Sequence, residues 1–253
     1  MYENVPAQSA IVNNEETQEK VDGNLIVVPT SSIISQNEVR GLGQLNRDDL
    51  TMQRIKLLQA MSNEVSSGGG NVGEFYNTLS GVSYGTKFIF TPITRWKSRT
   101  LFNESRDDQP ICRSSDGFRS LDGHLCEVDC PYNANLWVDG DPPRCAEAQN
   151  YLILPDGEQF PASISFMRSA IKSAKNFNVL LLAAKCDLWI WKYELTSVKQ
   201  NGTKGTYFLP KVMKHIVDGK PVATSEETQQ IAEQFFHWTK TGQISEYDED
   251  PPF

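Results

Sequence analysis

The run from Lys87 to Asn103 constrains the fold more than any other stretch, because it alternates residue by residue over a length that helical spacing does not explain. Lys87, Arg95, Lys97 and Arg99 fall at odd positions, and Phe88, Phe90, Trp96 and Phe102 at even ones. An extended strand would therefore have one basic and one aromatic face. Pro92 has no N–H to give to a ladder, so it should bulge or bend the run at an edge or barrel corner and could shift the register between its halves.

The neighbouring segments support a β-rich body. Arg54 to Gln59 opens the body, and after the flexible break at Gly68-Gly69-Gly70 the stretch from Gly73 to Asn77 reads as a strand. Tyr151–Leu154 and Pro161–Ile164 flank a turn at Pro155-Asp156-Gly157-Glu158. Leu188 to Lys199 alternates again, placing Trp189, Trp191 and Tyr193 on one strand face, and Asn201 to Gly205 turns this strand into Thr206–Leu209. Two segments have helical spacing instead. Ser165 to Lys185 aligns Phe166, Ala170, Ala174, Phe177 and Leu181, and a C-terminal helix capped at Thr224–Glu227 aligns Ile231, Phe235 and Trp238 before Gly242. Many short strands with accessory helices predict a mainly β fold, and the five-stranded OB-fold barrel is the form that pairs this architecture with oligonucleotide binding. Three regions are expected: a loosely ordered acidic arm over residues 1–50 with a short strand at Leu25–Val28, an OB-like domain over 51–223 with an insertion at 104–147, and a helix plus tail over 224–253.

The insertion holds four cysteines, Cys112, Cys126, Cys130 and Cys145, among turn formers such as Asp116-Gly117, Asp122-Gly123 and Asp139-Gly140. Four thiolates around a structural Zn²⁺ would hold such a core-poor, loop-rich segment together. Packed free thiols and redox chemistry are the alternatives, and His124 is a possible substitute ligand. Cys186 reads as a buried thiol at a strand start. An odd cysteine count without a secretory leader points to a reducing cytoplasmic setting, and the longest apolar run, Asn178–Ala184, is too short to span a membrane. His-Glu-x-x-His, deaminase and P-loop motifs are absent, so an enzyme is not expected.

The net charge of −8 becomes informative once it is divided along the chain. Residues 1–50 carry −5, residues 224–253 carry −6 and residues 104–147 carry −6, leaving +9 on the rest of the body. A basic body with acidic appendages suits capture of a phosphate backbone. The candidate contacts are Arg54, Lys56, Lys87, Arg95, Lys97, Arg99, Arg168, Lys172, Lys175 and Lys192, with Trp96, Trp191 and Tyr193 as stacking surfaces. Phe88, Phe90, Trp189 and Trp191 could equally be barrel core.

The chain ends in Asp248-Glu249-Asp250-Pro251-Pro252-Phe253, an acidic run whose terminal aromatic and carboxylate a shallow apolar pocket ringed by Lys and Arg could grip together. This tip resembles that of bacterial single-stranded DNA-binding proteins, where acids precede Ile-Pro-Phe; Pro252 and Phe253 match, and Pro251 replaces the isoleucine. The layout is also similar to bacteriophage single-stranded DNA-binding proteins of the T7 type. The likeness is close over about the last eight residues and one of layout elsewhere, and the cysteine insertion departs from both groups, although T4-type relatives carry a zinc subdomain with one histidine and three cysteines. The resemblance implies a protein that coats single-stranded DNA in replication or recombination, with a tip that recruits partner enzymes and can fold back to compete with DNA. A zinc-containing transcription or host-takeover factor that grips RNA polymerase through the tail is the alternative.

Overall fold

A computed structural model describes residues 51–103, 109–132, 143–202 and 205–240. The arm, the Leu25–Val28 strand, Gly242 and the acidic tip lie outside the described residues.

Within them the chain is mainly β. One sheet of nine strands runs in the order β3-β2-β1-β7-β6-β4-β8-β9, with β5 attached to β4. The strands are β1 (Gln53–Leu57), β2 (Phe75–Asn77), β3 (Ser83–Gly85), β4 (Lys87–Leu101), β5 (Cys112–Ser114), β6 (Cys145–Pro155), β7 (Ala162–Met167), β8 (Tyr193–Gly202) and β9 (Gly205–Lys214). Neighbours pair antiparallel except β1 with β7. A small ribbon, β10 (Ile216–Val217) and β11 (Lys220–Pro221), follows. In place of a five-stranded barrel, the described residues form a larger sheet curled into a half-barrel.

The strand β4 is the long alternating run. Its length lets β8 and then β5 share one of its edges, while β6 takes the other. Lys87–Phe90 pair with β8, Phe90–Leu101 with β6, and Arg99–Leu101 with β5. The register shifts between Pro92 and Thr94, leaving Ile93 as the extra residue of a bulge. Because side chains alternate with a period of two, one extra residue exchanges the faces of everything beyond it. Arg95 therefore stands opposite Tyr151, on the same face as Phe88 and Phe90, and Trp96 turns to the other side. The expected division into a basic and an aromatic face does not occur.

Each sheet face has its own core. On one side α2 (Ile171–Ala184) lies against β6, β7 and β9 and buries Ala174 and Phe177. The short α1 (Asn63–Ser66) follows β1 and contributes nothing to this core. The Phe177 ring lies 4.9 Å from Tyr151, 5.1 Å from Tyr193 and 5.8 Å from Phe90. The Tyr151 hydroxyl donates to Asn178 Oδ1 at 2.8 Å, which places the one polar atom of that ring on the helix. On the other side α3 (Glu226–Lys240) covers Ile93, Leu152 and Leu154 with Ala232 and Phe235. Its first turn is capped by Ser225, whose Oγ accepts from the Thr228 N–H.

One helical and one strand expectation shift. The segment from Ser165 begins as strand, and a left-handed residue, Arg168 at φ +49°, turns the chain before α2 starts at Ile171. Leu188–Ile190 form a 3-10 turn, so Trp189, Trp191 and Tyr193 do not share a face. Trp189 joins α3, with its ring 5.2 Å from Phe236, whereas Trp191 and Tyr193 pack with the α2 core. β8 and β9 pair antiparallel as far as Gly202 opposite Gly205, and the turn at Pro155–Glu158 forms as the sequence indicates.

Strand β9 meets the end of β1 through a side chain. Gln59, just beyond β1, donates from Nε2 to the Phe208 carbonyl at 3.0 Å and accepts the Phe208 N–H on Oε1 at 2.9 Å. Gly73 lies under the Phe208 ring at φ +88°, where a Cβ would come within 2.7 Å of it, so only glycine allows this approach.

Candidate functional site

The α2-side face of β4 organises the charged residues in a row. After the buried Phe88 and Phe90 it presents Arg95 at the C-terminal end of α2, then Lys97 beside Gly117 of the insertion, then Arg99 and Leu101 in a cavity lined by cysteines.

That cavity measures about 270 Å³ and is lined by all four insertion cysteines, with Arg99, His124, Asp122 and Asp129 also on its wall. Leu101 explains part of the convergence. It pairs with Cys112 on one side and Cys145 on the other, so both thiols lie on its face of the sheet. Cys126 and Cys130 arrive from the loop, which is folded by the Cys126 N–H bond to the Phe118 carbonyl at 2.8 Å and by the Arg119–Leu125 bridge. Burial pushes the Cys145 thiol up to about 11; the Cys130 thiol pushes the same way and Arg99 pulls against them. Burial likewise raises Cys112, with Cys130 the next contributor. Among the described residues no three Cys, His, Asp or Glu side chains are gathered tightly enough to hold a metal as they stand. All five cysteines are free thiols, and Cys186 is exposed instead of buried.

The predicted nucleic-acid contacts divide into three groups. Arg95, Arg168, Lys172 and Lys175 are exposed and have no acidic partner among the described residues. Arg168 stands at the head of α2 with its guanidinium 5.7 Å from the Phe102 ring centre, Lys172 and Lys175 on its flank and Arg95 at its foot. A second group is engaged elsewhere: Lys56 pairs with Glu64 at 3.0 Å, Lys87 with Glu194 at 2.8 Å and Lys192 with Asp156. Arg54 is half-buried on β1. The third group is structural. Arg99 is 3 % exposed, donates to the Cys126 carbonyl at 3.3 Å and pairs with Glu127 at 3.2 Å, so it is not presented to a strand outside. Tyr193 is fully buried, and Trp96 packs towards α3. Trp191 is half-buried beneath Lys214, whose Nζ lies 4.8 Å from the ring centre.

Sequence reasoning missed Lys185 and Phe118. Lys185 is the left-handed cap of α2 at φ +52° and lines, with Arg95, Leu181, Leu182, Leu188 and Ile190, a depression of about 640 Å³ at the helix foot. A helix end followed by Lys-Cys-Asp was its available signal. Phe118 is 61 % exposed beside Gly117, which packs on Lys97.

No helix among the described residues is long and apolar enough to cross a membrane. No curated protein and no solved structure matches the chain. The family model described as Pam3 phage gp34-like protein matches residues 20–245, the greater part of the chain, and the chain belongs to that phage protein family.

Proposed function

We propose that this phage protein binds single-stranded DNA in replication or recombination, with the exposed flank of α2 as the phosphate-contacting surface. The observation that carries the reading is the set of five exposed cations without acidic partners among the described residues: Arg168, Lys172, Lys175, Lys185 and Arg95, arrayed from the head of α2 to its foot. Exposed Phe118 supplies an aromatic face near Lys97 for base stacking, a part that Trp96, Trp191 and Tyr193 are too buried to play. The half-barrel would then serve as an OB-like scaffold. The role is one of binding, with no catalytic step. The acidic tip, Asp248 to Phe253, acts as hook for replication enzymes and as internal competitor; the depression at the foot of α2 offers an acidic, phenylalanine-ended segment both apolar side chains and Arg95 and Lys185.

The test is a titration of a fluorescent dT oligomer across a salt series. Binding should weaken linearly in log–log form, and replacing Lys172 and Lys175 by alanine should flatten the slope by about 0.7 for each phosphate that is no longer neutralised. Deleting residues 246–253 should raise affinity at low salt and abolish capture of the partner. Salt-independent or absent binding by the full chain would sink the reading. A second reading, a factor that grips RNA polymerase, draws on the exposed Ile111, Phe118, Leu121 and Val128 of the insertion. Tail-dependent capture of polymerase without tight DNA binding would favour it.

A further inference from the structure

We propose that Cys112, Cys126, Cys130 and Cys145 bind one zinc ion that fastens the insertion to the ends of β4 and β6. The inference is independent of any role in DNA binding. Three observations carry it. First, residues from four separate places, β5, two points of the loop and the start of β6, bring their thiols to a single cavity wall. Random placement of cysteines over an insertion of this length gives no reason for all four to line one cavity.

Second, the described residues of the insertion have almost no apolar interior of their own. None of its residues from 109 to 132 belongs to either hydrophobic core, and Ile111, Phe118, Leu121 and Val128 are more than half exposed. Apolar burial therefore does not hold these described residues in place, and metal binding supplies folding free energy where a core does not.

Third, Arg99 fits the electrostatics of a four-thiolate centre. Zn²⁺ with four thiolates carries two net negative charges, and a guanidinium that is 3 % exposed lines the same cavity. Its Nε is buried without a hydrogen-bond partner, so it has a donor to give to a thiolate sulfur. On binding, the four thiols lose their protons to solvent and draw inward to Zn–S distances of about 2.3 Å. His124, Asp122 and Asp129 also line the wall, but four sulfurs complete a closed tetrahedral set without them.

The experiment uses the full chain, purified without chelator. Metal analysis should find one zinc per chain, and a thiol reagent should modify Cys186 quickly and the other four only as zinc is released. Cobalt exchange should give intense thiolate-to-metal charge-transfer absorption with tetrahedral d–d bands. Cys186→Ser should retain the zinc and Cys126→Ser should lose it; if Cys126→Ser does not fold, the cobalt spectrum of the unmodified chain still decides. A chain without stoichiometric zinc, five thiols of equal reactivity, or a cobalt spectrum lacking thiolate bands would overturn the assignment. Each of these results leaves the dT titration free to succeed or fail.

Discussion

Replacing Arg99 by methionine separates a structural arginine from a DNA-binding one. The substitution keeps most of the side-chain volume and deletes the guanidinium, leaving the Cys126 carbonyl without its donor and Glu127 and Glu147 without their shared cation. Breaking a buried ion pair costs roughly 3–5 kcal/mol. The Glu127 side chain is 54 % exposed and can rehydrate, whereas Glu147 at 20 % cannot fully do so, and the cost should fall near the lower end, about 3 kcal/mol. For a protein of this size, 1 kcal/mol moves Tm by roughly 2–4 °C, so a fall of about 6–12 °C is expected. Arg95→Met, at an exposed site, should change stability by no more than about 0.5 kcal/mol. Differential scanning calorimetry gives the first comparison, and the salt slope of dT binding gives its mirror image. Arg95→Met should flatten the slope by about 0.7. Arg99→Met, measured well below its midpoint, should leave it unchanged. An Arg99→Met protein that melts with the wild type, or that loses slope as Arg95→Met does, would refute the placement of Arg99.

Other perturbations probe the two cores and the closure of the sheet. Phe177→Ala removes the ring that touches Phe90, Tyr151 and Tyr193 and should cost about 3–5 kcal/mol in denaturant unfolding. Burial pushes the Tyr193 phenol up to about 12, so its contribution is intact below pH 10 and is lost as pH rises from 10 through 12; an alkaline titration should show this tyrosine ionising only as near-UV circular dichroism collapses. Gly73→Ala should destabilise by more than about 1 kcal/mol, because the left-handed backbone and the Phe208 ring both oppose a Cβ. Equal midpoints for Gly73→Ala and the wild type would contradict the described approach.

Much of the fold was legible because it rests on local pattern. The alternation of β4, the hairpin at Asn201–Gly205 and the amphipathic spacing of α3 each carry their own signal within a few residues. Face assignment did not, since it depends on where one extra residue is absorbed. Pro92 announced a disturbance, but nothing local reveals that Ile93 bulges and turns Arg95 and Arg99 to the side of Phe88 and Phe90. The misreading of Trp189 has a related cause: three residues of 3-10 turn break a period of two without any proline or glycine to mark it. Convergence of the cysteines was legible as chemistry from their number, but their common wall depends on Leu101 pairing with strands on both sides. Arg99 looked like its neighbours Arg95 and Lys97 because exposure is a property of what folds over a residue, here the insertion.

The bonding of Gln59 to Phe208 bears on how this protein stays apart from its own copies. The outer rim of β9 is a strand edge, and such edges recruit strands from other molecules and seed aggregation. A primary amide has the same donor and acceptor as a peptide unit, and Gln59 presents both to the backbone of Phe208. One side chain thus counterfeits a neighbouring strand for one residue's length and occupies the site where an intruder would begin to zip. In the Gln59→Ala variant that rung would be open to any extended segment, so self-association that grows with concentration is its expected defect, ahead of any loss of melting temperature.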